Sequence, residues 1–297
     1  MESYGLQRAR NAVQIVSGVA LACNLMVVVI FAIKKHLRVK YYGFLFNLVL
    51  TDIAHATLAI VFITQYSPLA SALFRTSFFV TELNVLAVAV NRLMALSILP
   101  PARYDAMVTP FRMFVVCILF WVVSAAIYIP TTYAVNLPVV TRFIRPLVAL
   151  AILVLTLALY CIVFCKLAAY RSAEASPTTN KDNDQTQTRI TQTRSLMMTF
   201  SIILIMSFLC WIPYCICQFM MYFSGKDWYG QTELFRIIFI YTLAWLMVNS
   251  AVNPFIYWWR IPEICGNRSC AGGGKTSGDA LVLSTNMGTT VESTTNM

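Results

Sequence analysis

Seven long apolar segments, separated by shorter polar stretches, follow one another along the chain. Hydropathy places them at about 11–33, 42–65, 68–99, 114–130, 146–170, 195–223 and 234–258. A helix needs about 20 apolar residues to cross the hydrocarbon of a bilayer, and each segment offers roughly that many. The pattern therefore predicts an all-α fold, a seven-transmembrane helix bundle that occupies residues 1–265.

Composition supports this membrane assignment. Of the 297 residues, 59% are hydrophobic and 11% are charged, and the mean hydropathy is +0.71. A soluble domain carries about 25% charged residues. We therefore expect a multi-pass membrane protein that is surrounded by lipid.

The positive charge is unevenly placed along the chain. The net charge is +10, and roughly two-thirds of the 22 Lys and Arg residues fall on one side when alternate loops are assigned to alternate sides. The positive-inside rule places that side in the cytosol, with the N-terminus outside and the C-terminus inside. This placement accounts for the basic character without nucleic acid as a partner.

Three polar side chains share one face of the last apolar segment. Asn249 and Asn253 are four residues apart, and Ser250 lies between them. Pro254 frees the backbone carbonyl one turn before it, and hydrocarbon tolerates such a break only where protein or trapped water satisfies that carbonyl. We therefore predict that this face points inward.

Other polar residues lie within the apolar segments. Asp52 is costly at mid-membrane depth and is predicted to be functional, the alternative being a protonated side chain that only packs. Asn24 is expected to join helices, and His55 is expected to pack. Glu82 is expected to be protonated or to pair with a polar neighbour.

Three motifs occur in separate segments, at residues 91–93 (Asn-Arg-Leu), 210–213 (Cys-Trp-Ile-Pro) and 253–257 (Asn-Pro-Phe-Ile-Tyr). They resemble the Asp-Arg-Tyr, Cys-Trp-x-Pro and Asn-Pro-x-x-Tyr motifs of rhodopsin-like (class A) G-protein-coupled receptors, of the orphan or chemosensory type. The resemblance covers about residues 12–260. It implies a receptor of the plasma membrane that is not an enzyme and requires no cofactor.

The resemblance implies a sodium site that acts allosterically. The residues that match the positions around the sodium ion in relatives are Asp52, Thr81, Asn249, Ser250 and Asn253. Oxygen-bearing side chains around one carboxylate suit a hard cation, which would keep Asp52 ionised.

The resemblance also implies activation of a heterotrimeric G protein by outward movement of the sixth helix, with Pro213 as the pivot. The residues expected to take part are Asn91, Arg92, Tyr160, Pro213, Pro254 and Tyr257. Asn91 replaces the acid that usually accompanies the arginine, and Thr193 and Arg194 face it where an acid is usual. We therefore expect raised basal activity.

The ligand site is expected at the outer ends of the helices. Its predicted residues are Phe74, Arg75, Phe78, Trp211, Tyr214, Gln218 and Tyr241. Arg142 and Arg145 join Arg75 near the rim, where they would attract a carboxylate or extend to the lipid interface. Phe74 stands where amine receptors carry an aspartate, so the resemblance favours another small molecule or a short peptide.

Three polar regions lie at the presumed cytosolic face. Residues 171–194 are predicted to form a mobile loop, and residues 266–297 a disordered tail. A short surface helix is expected from Trp258 to Cys265, although Pro262 disfavours it. Cys265 and Cys270 are candidates for palmitoylation. The family further implies arrestin and receptor kinases as partners.

Two other functions compete with a signalling receptor. Seven-helix ion transporters also bury carboxylates such as Asp52 and Glu82, but they do not require Arg92 in register with Trp211 and Tyr257. A decoy receptor that binds ligand without signalling would fit the altered motif at residues 91–93.

Overall fold

A computed structural model describes residues 3–33, 43–65, 67–98, 101–133, 139–174, 183–226 and 228–260. In this part of the chain the helices are α1 (Tyr4–Ile33), α2 (Gly43–Thr64), α3 (Pro68–Ser97), α4 (Pro101–Met107), α5 (Pro110–Tyr133), α6 (Arg145–Glu174), α7 (Asn183–Phe223) and α8 (Glu233–Arg260). A π-helical turn, Val139–Ile144, leads into α6, and a 3-10 turn, Trp228–Gly230, precedes α8.

Seven of these helices, all except the short α4, are long and apolar enough to cross a membrane. The described residues contain no strand. The predicted all-α seven-helix bundle is therefore confirmed. Helices suit this setting because every backbone hydrogen bond is made within the segment and none has to be made to lipid.

The start of α3 shows how local sequence sets a helix boundary. Ser67 is the N-cap, and its side-chain oxygen accepts a hydrogen bond from the Ala70 backbone N–H at 3.1 Å. Pro68 follows at the first helical position, where a missing N–H leaves no helix bond unmade.

The bundle places its apolar surface outward and its polar side chains inward. Exposed large apolar residues occur on every spanning helix, including Ile15, Leu119 and Leu155. Helix α3 is central, because it packs against α2, α5, α6 and α7. It buries Thr81, Glu82 and several other polar groups. The inside of the bundle is therefore where specific chemistry is possible.

Several helix limits differ from those predicted by hydropathy. Helix α1 begins at Tyr4 and α5 spans Pro110–Tyr133, so both are longer than their apolar segments. The prediction of a loop at residues 171–194 is wrong for its described part, because α6 continues to Glu174 and α7 begins at Asn183. Hydropathy detects the edge of the hydrocarbon, whereas a helix continues wherever its own backbone bonds hold.

The region after the last span was predicted to begin a surface helix at Trp258. Helix α8 instead continues without a break to Arg260. The rest of that predicted helix, Cys265, Cys270 and the tail at 266–297 lie outside the described residues.

Candidate functional site

A buried carboxylate joins α2 to α8 near the middle of the bundle. Ser250 donates its hydroxyl to Oδ1 of Asp52 at 2.8 Å, and the Asn253 amide donates to Oδ2 at 2.9 Å. All three side chains are buried. The polar face of α8 therefore points inward, as its spacing predicted, and directly contacts the acid of α2.

The other two residues predicted for the sodium site make different contacts. Thr81 donates to the Ser77 carbonyl of its own helix at 3.2 Å. Asn249 accepts a hydrogen bond from Ser207 of α7 at 3.2 Å. Both are buried, but neither is hydrogen-bonded to Asp52, so three of the five predicted residues form the carboxylate cluster.

The carbonyl freed by Pro254 has a protein partner. Proline at position 254 leaves the Ser250 carbonyl without its helix donor. Asn24 of α1 donates to that carbonyl at 2.9 Å and to the Ala20 carbonyl of its own helix at 2.9 Å. Asn24 is fully buried. The expectation that it joins helices is thus confirmed, and it ties α1 to the broken turn of α8.

A second polar cluster joins α2 to α3. The Asn47 amide donates to the Asn84 side-chain oxygen at 2.6 Å, and the Asn84 amide donates to the Thr51 hydroxyl at 3.0 Å. His55 lies farther along α2, where it hydrogen-bonds to Ser77 at 2.9 Å. These contacts fix the register of the two helices. The expected packing role of His55 is confirmed.

The residues predicted to bind ligand divide into groups. Phe78 contacts Trp211 with ring centroids 4.8 Å apart, and Tyr214 with centroids 6.3 Å apart. Gln218 donates to the Tyr214 hydroxyl at 2.8 Å. These four side chains, Phe78, Trp211, Tyr214 and Gln218, are all buried and form what we call the aromatic cluster.

The other three residues predicted for the ligand site, Phe74, Arg75 and Tyr241, have different surroundings. Phe74 stacks on His55 at 4.7 Å, toward α2, and Arg75 is only partly buried. Tyr241 is 46% exposed and shares the outer face of α8 with Ile238 and Trp245. Its assignment to the ligand site stays a prediction.

A polar chain that the sequence did not reveal extends from the aromatic cluster. Arg145 of α6 donates through Nη2 to the Tyr214 hydroxyl at 2.8 Å, and it is 8% exposed. Glu82 of α3 is buried and lies within electrostatic range of Arg145. Arg142, which was predicted to act with Arg145, donates to the Lys226 carbonyl and is partly buried.

A second proline break lies in α7. Pro213 frees the carbonyl of Leu209, and the Trp245 indole N–H of α8 donates to that carbonyl at 3.0 Å. Trp245 is 47% exposed. Trp211 and Tyr214, which flank the break, are buried. The turn that carries the aromatic cluster is therefore also the turn where α7 can bend.

The opposite end of the bundle holds the motif at residues 91–93. Asn91 accepts a hydrogen bond from the Tyr104 hydroxyl of α4 at 2.9 Å, and Arg92 is 2% exposed. Tyr160 of α6 is within electrostatic range of Arg92, and Tyr257 of α8 is within range of Asp52. Both tyrosine hydroxyls are buried and have no hydrogen-bond partner.

Comparison with known proteins agrees with this arrangement. Residues 23–257 match the family model described as the 7 transmembrane receptor (rhodopsin family). The chain belongs to this family, and it is therefore a multi-pass membrane protein of the receptor class. A search among curated proteins found no match.

Proposed function

We propose that this protein is a G-protein-coupled receptor of the plasma membrane, with its N-terminus outside the cell. An extracellular small molecule or short peptide binds on the side of Phe78, Trp211 and Tyr214. Binding favours a packing in which the half of α7 before Pro213 swings outward, and the opened cleft accepts a heterotrimeric G protein.

The position of Pro213 is the observation on which this proposal chiefly depends. The proline lies between the buried aromatic rings of Trp211 and Tyr214, and α7 packs against α3, the helix that carries Arg92. A change in packing around the rings can therefore alter the angle between the two halves of α7. Ligand acts only through its different affinity for the two packings.

Two buried tyrosine hydroxyls would gain hydrogen-bond partners in a second packing of the helices. The hydroxyls of Tyr160 and Tyr257 have no hydrogen-bond partner here, and each such buried group costs about 1–3 kcal/mol. A packing that supplied partners to both hydroxyls would recover part of that energy. The family resemblance assigns both tyrosines to the cleft that receives the G protein.

Sodium is proposed to favour the inactive packing by binding beside Asp52. The donor set fits a hard cation, since it offers the carboxylate, the Ser250 hydroxyl and the Oδ1 oxygen of Asn253, which is buried without a partner. Ser250 and Asn253 would turn oxygen lone pairs toward the cation. Asn249 and Thr81 would complete the set only after releasing their present partners.

Basal activity is proposed to be high. Asn91 is uncharged and accepts its hydrogen bond from Tyr104, so it adds no charge to hold Arg92 in the inactive packing. The charge difference between an aspartate and an asparagine at such a site changes the balance by about 0.5–2 kcal/mol. That difference raises the active population several-fold.

Nucleotide exchange on a panel of purified G proteins tests the proposal. Wild-type receptor in lipid nanodiscs should accelerate exchange on at least one heterotrimer without ligand. Arg92→Ala should remove the acceleration, whereas Arg8→Ala, at an exposed arginine of α1, should not. Exchange equal to that of empty nanodiscs across the panel, or acceleration that survives Arg92→Ala, would contradict G-protein activation and favour the decoy or transporter alternatives.

A further inference from the structure

Glu82 is the acid that the proposed mechanism leaves without a role. It is 1% exposed, and neither carboxylate oxygen has a hydrogen-bond partner. A carboxylate buried without partners is among the most unfavourable groups in a protein interior. Its side chain lies one helical turn from Phe78 of the aromatic cluster, on the same face of α3.

Arg145, near Glu82, makes only part of the hydrogen bonds that its guanidinium group can donate. Its Nη2 donates to Tyr214, but its Nη1 is buried and has no partner. Glu82 and Arg145 are within electrostatic range of each other without being hydrogen-bonded. Tyr128 of α5 and Cys215 of α7 are each within electrostatic range of both groups, so Glu82 and Arg145 lie where α3, α5, α6 and α7 come together.

Glu82 and Arg145 restrict what can bind between them. A ligand that carries only an ammonium group or only a carboxylate would leave either Nη1 of Arg145 or the Glu82 carboxyl group buried without a partner. A ligand with no net charge, but with a donor for Glu82 and an acceptor for Arg145, satisfies both groups. Charge-assisted hydrogen bonds of this kind are the strong ones.

We propose that the receptor recognises a small zwitterion with an apolar body. Its ammonium group binds Glu82, its carboxylate binds Nη1 of Arg145, and its apolar body packs on Phe78 and Trp211. This inference rests on the proposed receptor function and specifies the chemistry of its ligand.

The same geometry links binding to activation. The unsatisfied atoms of Glu82 and Arg145 are covered by neighbouring side chains. A zwitterion reaches both only if α6 or α7 shifts away from α3. Such a ligand therefore has greater affinity for the shifted packing, which is the requirement for an agonist.

Three aromatic probes of the same length test the inference on purified wild-type receptor in nanodiscs. Phenylalanine carries both charges, phenethylamine lacks the carboxylate, and 3-phenylpropanoate lacks the ammonium group. Thermal stabilisation and microcalorimetry should give phenylalanine an affinity at least about 30-fold higher than that of either singly charged probe. Equal binding of a singly charged probe, or no binding of phenylalanine, would overturn the inference.

Two variants test whether Glu82 and Arg145 cause the preference for phenylalanine over the singly charged probes. Glu82→Gln should reduce the advantage of phenylalanine over 3-phenylpropanoate to less than about threefold, and Arg145→Gln should do the same relative to phenethylamine. Glu233→Gln and Arg8→Gln, at exposed positions, are the matched controls and should change neither ratio.

The thermal unfolding of each variant without probe shows that it is folded. An unchanged preference in folded Glu82→Gln or Arg145→Gln would also overturn the inference. Ligand-independent exchange that depends on Arg92 would at the same time leave the proposed receptor function standing.

Discussion

In both α7 and α8 a proline leaves one backbone carbonyl without its helix donor, and a different side chain donates a hydrogen bond to each of these carbonyls. In α8, the carbonyl freed by Pro254 accepts a hydrogen bond from Asn24, which is fully buried and also bonded to its own helix. In α7, the carbonyl freed by Pro213 accepts from Trp245, which is 47% exposed. One break is enclosed in the polar interior, and the other is closed by a single donor at the lipid surface.

This difference between the two breaks indicates which of the two helices bends more easily. Opening the α8 break would expose several buried polar groups at once, because Ser250 and Asn253 of that turn also hold Asp52. Opening the α7 break would release one hydrogen bond from a side chain already half exposed. We therefore infer that α8 is the fixed element and that α7 bends.

The largest effect is expected for Asn24→Ala. The substitution leaves the Ser250 carbonyl buried without a donor, which should lower the free energy of unfolding by about 2–3 kcal/mol. Thermal unfolding of the receptor in nanodiscs measures the loss. Asn11→Ala on the same helix is the control, because Asn11 is exposed and bonds only to Gln7 among the contacts seen. Equal losses in the two variants would contradict a special role for the α8 break.

Asp52→Asn should abolish the stabilisation of the receptor by sodium. Wild-type receptor should unfold at a higher temperature in sodium than in choline at equal ionic strength, with a coupling of about 1–2 kcal/mol. The variant should show no difference between the two salts, since the anionic carboxylate is gone. If the variant keeps its sodium response, the cation binds elsewhere.

Trp245→Phe should loosen the α7 break with only a small loss of stability. The ring is retained and the N–H is lost, so the change should be about 1 kcal/mol, with basal nucleotide exchange increased several-fold. Trp258→Phe is a matched control, since Trp258 is also 47% exposed on α8. An equal rise in the control, or a fall in Trp245→Phe, would show that the indole bond does not restrain α7.

The smallest effect is expected for Ser207→Ala. This serine connects α7 to Asn249 of α8 by a 3.2 Å hydrogen bond, and its loss should lower the free energy of unfolding by about 0.5–1 kcal/mol. Ser124→Ala removes a buried hydroxyl that has no partner and should be neutral or stabilising. Denaturation in parallel distinguishes the two, and a greater loss in Ser124→Ala would contradict the role of Ser207.

Much of the fold could be predicted because membrane insertion depends on local composition. The seven spans are runs of apolar residues, and the inward face of α8 followed from the spacing of Asn249, Ser250 and Asn253 together with the cost of burying Asp52. These inferences need no knowledge of how helices pack. The short α4 and the extension of α6 and α7 into polar sequence have no such signal.

The partners within the site could not be predicted in the same way. The sequence shows that Pro213 frees the Leu209 carbonyl, but not that Trp245 reaches it. Tyr241 was assigned to the ligand site from its position along the chain, which does not show that its side chain is 46% exposed. The burial of Arg145 against Tyr214 likewise depends on tertiary packing.

The movement of α7 relative to α8 is tested most directly by distances between paired spin labels. The labels are placed at Phe111 of α5 and at either Met198 of α7 or Trp258 of α8, all exposed, after replacement of the other reactive cysteines. We predict two populated distances for Phe111–Met198, with the longer one increased by Trp245→Phe, and one unchanged distance for Phe111–Trp258. A single Phe111–Met198 distance that ignores Trp245→Phe, or a second distance for Phe111–Trp258, would contradict the account.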